Sequence, residues 1–508
     1  MTVNADLLLR NGQAAPLGAV PDVGIDVFRN RVVAAVAGGM RLAALFGRPD
    51  ADAPGAIRLV AVLASDSTSH LSLLRTCVER DYPALTPDCP QAHWFEREIA
   101  EQWDIRPKGH PWLKPVRFHE PYARGAGVFA HPGQGPLCGV TDFFRVEGEE
   151  IHEVAVGPVH AGVIEPGHFR FQCHGETVLH LEISLGYQHR GIERRLVGGP
   201  DARTLHLVET AAGDTTVGHA TAYCQALESL AGVGVPARAQ AIRGIALELE
   251  RLTCHIGDLG ALAGDIGFLP TASYCGRIRG DGLNMTAQLC GSRFGRGLLT
   301  PGGVRFDIDA ARADDLLRRL DAVAADAASA INLLWNKPSV MARFEETGTL
   351  SAETVRQIGL VGPAARACGI GLDVRHDHPA GIFSFAHVPV ATWHSGDVFA
   401  RAYVRWLEVQ RSVEFVRDQL RGLPDGPIAV AMPPLAPGRT VVTLVEGWRG
   451  EVCHVAATDD AGRLAHYKII DPSLHNWFGL ALALRGQQIS DFPLCNKSFN
   501  LSYCGHDL

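Results

Sequence analysis

The chain has 508 residues, of which 46% are hydrophobic and 20% are charged, and its formal net charge is −8. This is the composition of a globular protein, and the length predicts two or more domains. The acidic balance argues against nucleic-acid binding, and because no apolar run approaches the roughly 18 residues that cross a bilayer, we expect a soluble chain or one held at a membrane by its partners.

The first part of the chain, residues 1–120, alternates short apolar runs such as IRLVAVLAS with helical stretches. This pattern predicts a small α+β domain. Residues 121–140, PYARGAGVFAHPGQGPLCGV, contain five glycines and three prolines, which predicts a linker. The remainder, 141–508, is then the second domain.

The second domain begins with β patterns and continues with helical ones. In ETVLHLEISLGY the residues Leu179, Leu181, Ile183 and Leu185 share one face of a predicted strand. A long buried helix is predicted to start at Pro236, and stretches ending near residues 335 and 423 predict two more. We therefore expect a mainly α-helical domain with small β-sheets.

Metal-binding side chains are scattered. The twelve cysteines, from Cys77 to Cys504, include no Cys-x-x-Cys pair, which argues against an iron–sulfur cluster or zinc ribbon within this chain. Six histidines lie at positions 152, 160, 168, 174, 180 and 189. Their spacing is typical of strands and turns, which favours satisfied histidines over a metal site.

Four motifs occur in a characteristic order: GPVHAGVIEPGHFRF (157–171), GYQHRGIERRL (186–196), ELERLTCHIGDLG (248–260) and PGGVRFDI (301–308). Together they resemble the large subunit of the group 4, energy-converting [NiFe]-hydrogenases, including formate hydrogenlyase, and its relative, the 49 kDa subunit of respiratory complex I. EREIAEQWDI in the first domain resembles the complex I 30 kDa subunit. The resemblance implies that the two subunits are fused here.

The hydrogenases hold nickel and iron with four thiolates from two Cys-x-x-Cys pairs, because soft sulfur ligands suit nickel. The resemblance puts these ligands at Ala212, Thr215, Ser502 and Gly505, and none of the four contains sulfur. The neighbouring Cys504 alone cannot rebuild such a site. We therefore expect no metal centre and no hydrogen production.

Complex I relatives use the corresponding cavity for a quinone head group, so the resemblance makes quinone a possible ligand. The tyrosine that those subunits place near the quinone falls on Gly213 here, and a nearby arginine falls on Thr210. Quinone binding therefore rests on the resemblance alone. The resemblance also implies that NAD, a cofactor associated with the family, is bound by other subunits.

Five residues are candidates for catalysis in the cavity that the resemblance implies. In the related proteins, the loop that contains His160 and His168 forms one wall of this cavity. His160 and His168 flank the EPG turn and would handle protons or bind the head group, or else are satisfied loop histidines. Glu193 would shuttle protons, or form an ion pair with Arg194 or Arg190.

The other candidates also have two interpretations. Asp214 either caps the helix that contains His219 or contributes to a ligand site. Arg449 would point its guanidinium into the cavity and bind an anion or carbonyl. His255, on the polar side of the long helix, would approach an iron–sulfur cluster of the neighbouring small subunit, or is structural.

The resemblance implies a peripheral subunit at the cytoplasmic face of the cell membrane, and the lack of a signal-peptide pattern at the N-terminus agrees with a soluble chain or one held at a membrane by its partners. By resemblance it belongs to an NADH:quinone oxidoreductase-like or hydrogenase-related complex. An iron–sulfur small subunit would supply electrons, and antiporter-like membrane subunits would pump ions. Electrons would pass to an acceptor in the cavity. The alternative is a structural subunit that couples electron input to the membrane arm.

Overall fold

The computed structural model describes residues 7–50, 53, 55–122, 127–129, 137–139, 141–160 and 164–508. Its strands are β1 Leu7–Leu9, β2 Ala15–Pro16, β3 Arg41–Pro49, β4 Ile57–Ser65, β5 His70–Val78, β6 Asp81–Pro83, β7 Arg106–Lys108, β8 Ile151–Val156, β9 His168–His174, β10 Thr177–Ser184, β11 Leu299–Thr300, β12 Gly303–Val304, β13 Arg439–Gly447, β14 Gly450–Thr458 and β15 Leu464–Ile470. Its helices are α1 Ile25–Ala37, α2 His93–Trp103, α3 Ile192–Leu196, α4 Thr204–Val208, α5 Thr216–Ala231, α6 Ala237–Asp265, α7 Leu269–Cys290, α8 Ala310–Trp335, α9 Pro338–Phe344, α10 Ala352–Ile358, α11 Gly362–Arg366, α12 Val374–Asp377, α13 Val398–Arg421, α14 Pro472–Ala483, α15 Phe492–Phe499 and α16 Tyr503–His506.

The N-terminal part is built on an antiparallel sheet of strand order β1-β5-β4-β3. The central strand β4, which contains the apolar run IRLVAVLAS, is buried along almost its whole length. Helix α1 packs on this sheet, and α2 packs against β3. The predicted α+β class of this part is confirmed.

The helical part is organised around α6, which packs against α7 and α13. Pro236 precedes its first turn, as predicted, because proline has no backbone N–H to leave unpaired there. The predicted apolar stripe is completely buried, from Ile242 to Leu259. Helices α8 and α13 match the other two helical predictions, so the mainly helical class of this part is also confirmed.

One strand differs from its prediction. The predicted inward-facing residues that the structure buries are Leu181, Ile183 and Leu185. Leu179 is instead 39% exposed, whereas Val178 is completely buried. The pairing of β10 with β9 shifts register between Val178 and His180, and such a bulge turns the preceding residues to the opposite face.

The C-terminal sheet has the order β15-β14-β13-β2, so a strand from the N-terminal part completes it. Helix α5 packs across β13 and β14. One hydrophobic core includes residues from both parts of the chain. The predicted boundaries at 120 and 141 stay predictions, and positions 123–126, 130–136 and 140 of the predicted linker lie outside the described residues.

No helix within the described ranges is long and apolar enough to span a bilayer.

Candidate functional site

The two segments that would supply metal ligands, residues 210–216 and 500–506, face each other. Arg190 joins them, because its guanidinium donates to the carbonyl oxygens of Thr210, Ala211 and Cys504. Arg449 joins them a second time through the carbonyl oxygen of Asn500 and the side chain of Asp214. The structure therefore places the two segments that contain the four predicted ligand positions next to each other, and we call the region where they meet the polar pocket.

Arg449 and Asp214 occupy one side of the polar pocket. Arg449 lies in the tight turn between β13 and β14, and its two terminal nitrogens are 2.5 and 2.8 Å from the Asp214 carboxylate oxygens. Burial would lower the pKa of this guanidinium, but the ion pair with Asp214 raises it above its ordinary value. The guanidinium points into the pocket as predicted, although Asp214, Thr215 and Asn500 already accept most of its donors.

The prediction that Asp214 caps α5 is wrong. The N-cap residue is Thr215, which makes no side-chain capping bond. The cap comes from Glu250 on α6, whose carboxyl oxygens accept the N–H groups of Val217 at 2.7 Å and Gly218 at 3.1 Å. Burial raises the pKa of the Glu250 carboxyl to about 8.

Asp471 and His219 occupy the other side of the pocket. The Asp471 carboxylate lies 3.0 Å from Nε2 of His219, and both side chains are completely buried. An ideal Cβ at Gly505 would lie 2.6 Å from the Asp471 carboxyl carbon, which is closer than real contacts allow. The carboxylate therefore fills the space that a cysteine at position 505 would need.

Sulfur near the pocket is limited to single thiols. Burial and the nearby Glu165 raise the pKa of the Cys504 thiol to about 11, and its sulfur lies 3.3 Å from the Ser502 hydroxyl. Ser502 uses its hydroxyl to cap α16 by accepting the N–H of Gly505. Among the residues that the structure describes, no three His, Cys, Asp or Glu side chains are placed to share a metal ion. A nickel–iron centre does not fit this donor set.

His160 and His168 tie the two ends of one loop together. Nε2 of His160 lies 2.9 Å from the carbonyl oxygen of Gly167, and Nδ1 of His168 lies 3.2 Å from that of Gly157. His168 also accepts a hydrogen bond from Arg170, so both its ring nitrogens have partners. His160 also lines a cavity.

That cavity, which we call the aromatic cavity, has a volume of about 400 Å³. Its wall includes His160, Phe169, Phe171, Phe492 and Tyr503. The rings of Phe169 and Phe492 lie 4.7 Å apart. A flat apolar ring with a polar edge fits such a lining, because the aromatic faces supply contact and the histidine supplies a hydrogen bond.

A second cavity, which we call the α6–α7 groove, adjoins the aromatic cavity because Lys497 and Asn500 line both. Its volume is about 480 Å³ and its wall includes Asp214, Cys254 and Arg279. Asp214 therefore connects the polar pocket with this groove, and 34% of its side chain is exposed.

Glu193 lies outside both cavity linings. Its carboxylate pairs with Lys468 at 2.8 Å and accepts the N–H of Ile469, so the predicted pairing with Arg194 or Arg190 is wrong. Lys468 also pairs with Glu98 of α2 at 2.7 Å. The buried lysine thus links the N-terminal part to the C-terminal sheet.

His255 faces a polar side of α6, as predicted, but that side is completely buried. Its Nε2 lies 2.8 Å from the Glu408 carboxylate, which also binds Arg366. Burial lowers the pKa of the His255 imidazole, although the hydrogen bond to Glu408 opposes this effect. The predicted approach to a partner's cluster stays a prediction.

Three residues of this region were missed by the sequence analysis. Glu165 accepts the N–H of Tyr503, and Asp471 and Glu250 have the roles described above. The signal for Asp471 was its place before Pro472, since Asp followed by Pro is typical of a helix start. Glu250 gave no local signal, because its capping partners lie 32 and 33 residues away.

Comparison with known proteins identifies relatives for both parts of the chain. The family described as respiratory-chain NADH dehydrogenase, 49 Kd subunit, matches residues 265–439, and the corresponding 30 Kd subunit family matches residues 35–127. The predicted fusion of these two types of subunit is confirmed.

Curated relatives cover most of the chain. The carbon monoxide-induced hydrogenase of Rhodospirillum rubrum is 32% identical over 350 residues, which is 69% of this chain and 97% of that protein. Formate hydrogenlyase subunit 5 of Escherichia coli is 31% identical over 445 residues, covering 83% of this chain and 76% of that protein. A chain from the structure of the membrane-bound sulfane sulfur reductase, an archaeal respiratory membrane complex, has the same fold, with a TM-score of 0.65 and 24% identity over 71% of this chain and 99% of that one.

Proposed function

Because the chain belongs to the family that joins the large subunits of membrane-bound hydrogenases and the 49 kDa subunits of respiratory-chain NADH dehydrogenase, we propose that it is the peripheral large subunit of a membrane-associated redox complex. In this proposal it receives electrons from an iron–sulfur partner subunit and delivers them to an organic acceptor. It lies at the cytoplasmic face of the membrane, beside antiporter-like subunits.

The observation that carries this proposal is the filling of the polar pocket. Asp471 takes the space beside Gly505, and the Arg449–Asp214 pair contacts Thr215. A chain with this pocket keeps the family framework but has the Arg449–Asp214 ion pair and the hydrogen-bonded Asp471 carboxylate in place of the thiolate cage. Its acceptor must therefore bind somewhere other than at a metal.

The aromatic cavity supports the acceptor assignment. Its apolar and aromatic lining, with His160 and Tyr503 as the polar groups, suits a quinone-class ring. Nε2 of His160 donates to the carbonyl oxygen of Gly167, so Nδ1 of the neutral imidazole is left to accept one hydrogen bond from a ring hydroxyl. The adjoining α6–α7 groove gives the acceptor a route from the surface.

The test uses the intact purified complex. A short-chain quinone analogue is titrated while reoxidation of the partner's reduced cluster is followed. We expect saturable reoxidation in the wild type and about tenfold weaker binding in His160→Ala, since losing one hydrogen bond and its contacts costs about 1.4 kcal/mol. The matched control is His180→Ala, which removes a half-buried histidine that packs on Phe144 outside the cavity.

A structural role is the second candidate, and the same filled pocket favours it. Ion pairs such as Arg449–Asp214 and Lys468–Glu98 crosslink the chain as a scaffold would require. Absence of quinone binding, together with equal cluster reoxidation in both histidine variants, supports this role and contradicts the electron-delivering one.

A further inference from the structure

A continuous row of hydrogen-bonded side chains leads away from the polar pocket into the C-terminal sheet. It begins at Asp471, whose carboxylate accepts from Nε2 of His219 at 3.0 Å. Nδ1 of His219 lies 3.1 Å from Nε2 of His454, and Nδ1 of His454 lies 2.9 Å from the Tyr467 hydroxyl. All four side chains are buried to 99% or more.

The hydrogen bonds fix which nitrogen has the proton. The hydrogen bond from His219 helps to keep the pKa of Asp471 below its ordinary value even though burial raises it, so the carboxylate is charged and His219 must donate through Nε2. Nδ1 of His219 is then an acceptor, and His454 must donate to it through Nε2. The remaining nitrogen of His454 accepts the hydroxyl proton of Tyr467. Every polar atom of the row is satisfied with both imidazoles neutral.

A second hydrogen-bonded pair continues toward the surface. The ring of Tyr467 lies 5.8 Å from that of Tyr223, whose hydroxyl is 2.6 Å from the Thr204 hydroxyl. Thr204 is the first residue of α4 and bonds to Asp201, which lies in an exposed turn. The row therefore extends from the polar pocket almost to solvent. Its two hydrogen-bonded parts meet at the ring contact between Tyr467 and Tyr223.

The titratable side chains around this row are held in one protonation state. Arg449 is the charged neighbour of Asp471, and His475, whose pKa burial lowers to about 4, also interacts with this carboxylate and stays neutral. Around Tyr467 the titratable neighbours are Tyr223, Cys224 and Cys453, whose buried groups have raised pKa values and stay protonated. A proton that enters the row is therefore not captured by a side group.

We propose that Asp471, His219, His454, Tyr467, Tyr223 and Thr204 form a proton relay between the solvent-exposed turn at Asp201 and the polar pocket. The inference rests on the proposed function, because a quinone-class acceptor that takes two electrons also takes two protons. Asp471 abuts Gly505 of the short helix α16, whose first residue Tyr503 lines the aromatic cavity.

One transfer balances as follows. Tyr467 passes its hydroxyl proton to Nδ1 of His454 and takes the hydroxyl proton of Tyr223, which is itself reprotonated through Thr204 from the solvent-exposed turn. No hydrogen bond joins the two phenols, so this hop requires their hydroxyl groups to come together. His454 gives its Nε2 proton to His219, which gives its own Nε2 proton to Asp471. One proton enters, and Asp471 becomes a neutral acid that can release it to the pocket. Both imidazoles finish as the opposite tautomer, and return hops or ring rotation restore them.

The test compares Tyr467→Phe with Tyr82→Phe in the intact complex. Tyr82 is also fully buried but lies in the N-terminal part, outside the relay. We expect Tyr467→Phe to slow quinone reduction by at least about tenfold, within the range of lost proton-transfer groups. The deuterium solvent isotope effect should rise, while reduction of the partner's cluster by its donor is unchanged. Tyr82→Phe should match the wild type. If Tyr467→Phe does not assemble, Tyr223→Phe interrupts the outer half with the same readouts.

A second measurement separates this inference from the proposed function. Infrared difference spectra of the complex before and after reduction should show imidazole bands that shift on ¹⁵N-histidine labelling, and a carboxylic-acid band that is absent from Asp471→Asn. If these bands appear but the complex reduces no quinone, the relay is supported and the proposed function is contradicted. The relay would be overturned if the complex reduces quinone without these bands and Tyr467→Phe has the same rate and the same isotope effect as the wild type.

Discussion

Asp471 stands where a side chain at position 505 would lie: its carboxyl carbon is 2.6 Å from the position of a Cβ on Gly505. The carboxylate is held there by His219 on one oxygen and by the N–H of Ser473 on the other. Residue 505 is therefore limited to glycine as long as Asp471 keeps these bonds. A buried acid therefore fills the space beside position 505, where the resemblance predicts a metal ligand.

Gly505→Ala should destabilise the protein. The added methyl group meets the Asp471 carboxyl group, and overpacking of a buried site costs roughly 1–3 kcal/mol. Thermal or urea unfolding measures the change. Gly213→Ala is the matched control in the same pocket, because no atom lies within 4 Å of its added Cβ. Equal stability of the two variants would contradict the account of Asp471.

The Arg449–Asp214 pair should show strong coupling in a double-mutant cycle. Asp214→Ala leaves a buried guanidinium without its charge partner and should cost roughly 1–3 kcal/mol of unfolding free energy. Arg449→Gln combined with Asp214→Ala should cost less than the sum of the single changes, because both partners are then gone. Strict additivity would show that the pair contributes little.

Glu250 should make stability fall as the pH rises. Burial raises the pKa of its carboxyl to about 8 in the folded protein, against 4.5 as the ordinary value. Between these values the folded state keeps a proton that the unfolded state has released, so stability decreases by up to about 1.4 kcal/mol per pH unit for this group.

Glu250→Gln cannot titrate and should lose this part of the pH dependence. Urea unfolding between pH 5 and 8 should show a wild-type advantage over the variant that shrinks as the pH rises. Glu101 and Glu446, whose pKa values burial raises to about 7, contribute a slope that both proteins share. The control is Glu414→Gln, whose side chain is 61% exposed. Parallel stability curves for Glu250→Gln and wild type would exclude the raised pKa.

Lys468→Met should be among the most damaging single changes in the chain. It leaves the buried carboxylates of Glu98 and Glu193 without the lysine that pairs with both, and breaking a buried pair costs about 3–5 kcal/mol. Chemical unfolding provides the measurement, with the exposed Lys337→Met as the control. A loss below about 0.5 kcal/mol, which is typical of surface changes, would contradict the proposed link between the two parts.

Helices and strands were predictable from the sequence because their signals are local. The stripe from Ile242 to Leu259 has helical spacing, and Pro236 marks its start. The bulge at Leu179 was not predictable, because it depends on how β10 pairs with β9. A single register shift turns the residues before it to the opposite face of the sheet, but the alternating sequence pattern does not show where the shift occurs.

The candidate site was predictable in its location but less so in its contacts. The motifs placed Asp214 and Arg449 in one pocket, and the structure joins them directly. Glu193 was assigned to neighbouring arginines, yet its partner Lys468 lies 275 positions away on β15. Contacts with residues on distant strands cannot be predicted from sequence spacing. For the same reason, the hydrogen-bonded row from Asp471 to Tyr467 was not predictable.

The central claim is that the polar pocket holds an ion pair and a buried acid around the positions where the resemblance to [NiFe]-hydrogenases predicts metal ligands. The most direct test is to measure nickel and iron per chain in the intact purified complex. We predict iron only in the amount that the partner's clusters require, with nickel at background. One nickel per chain, retained through purification, would contradict the account.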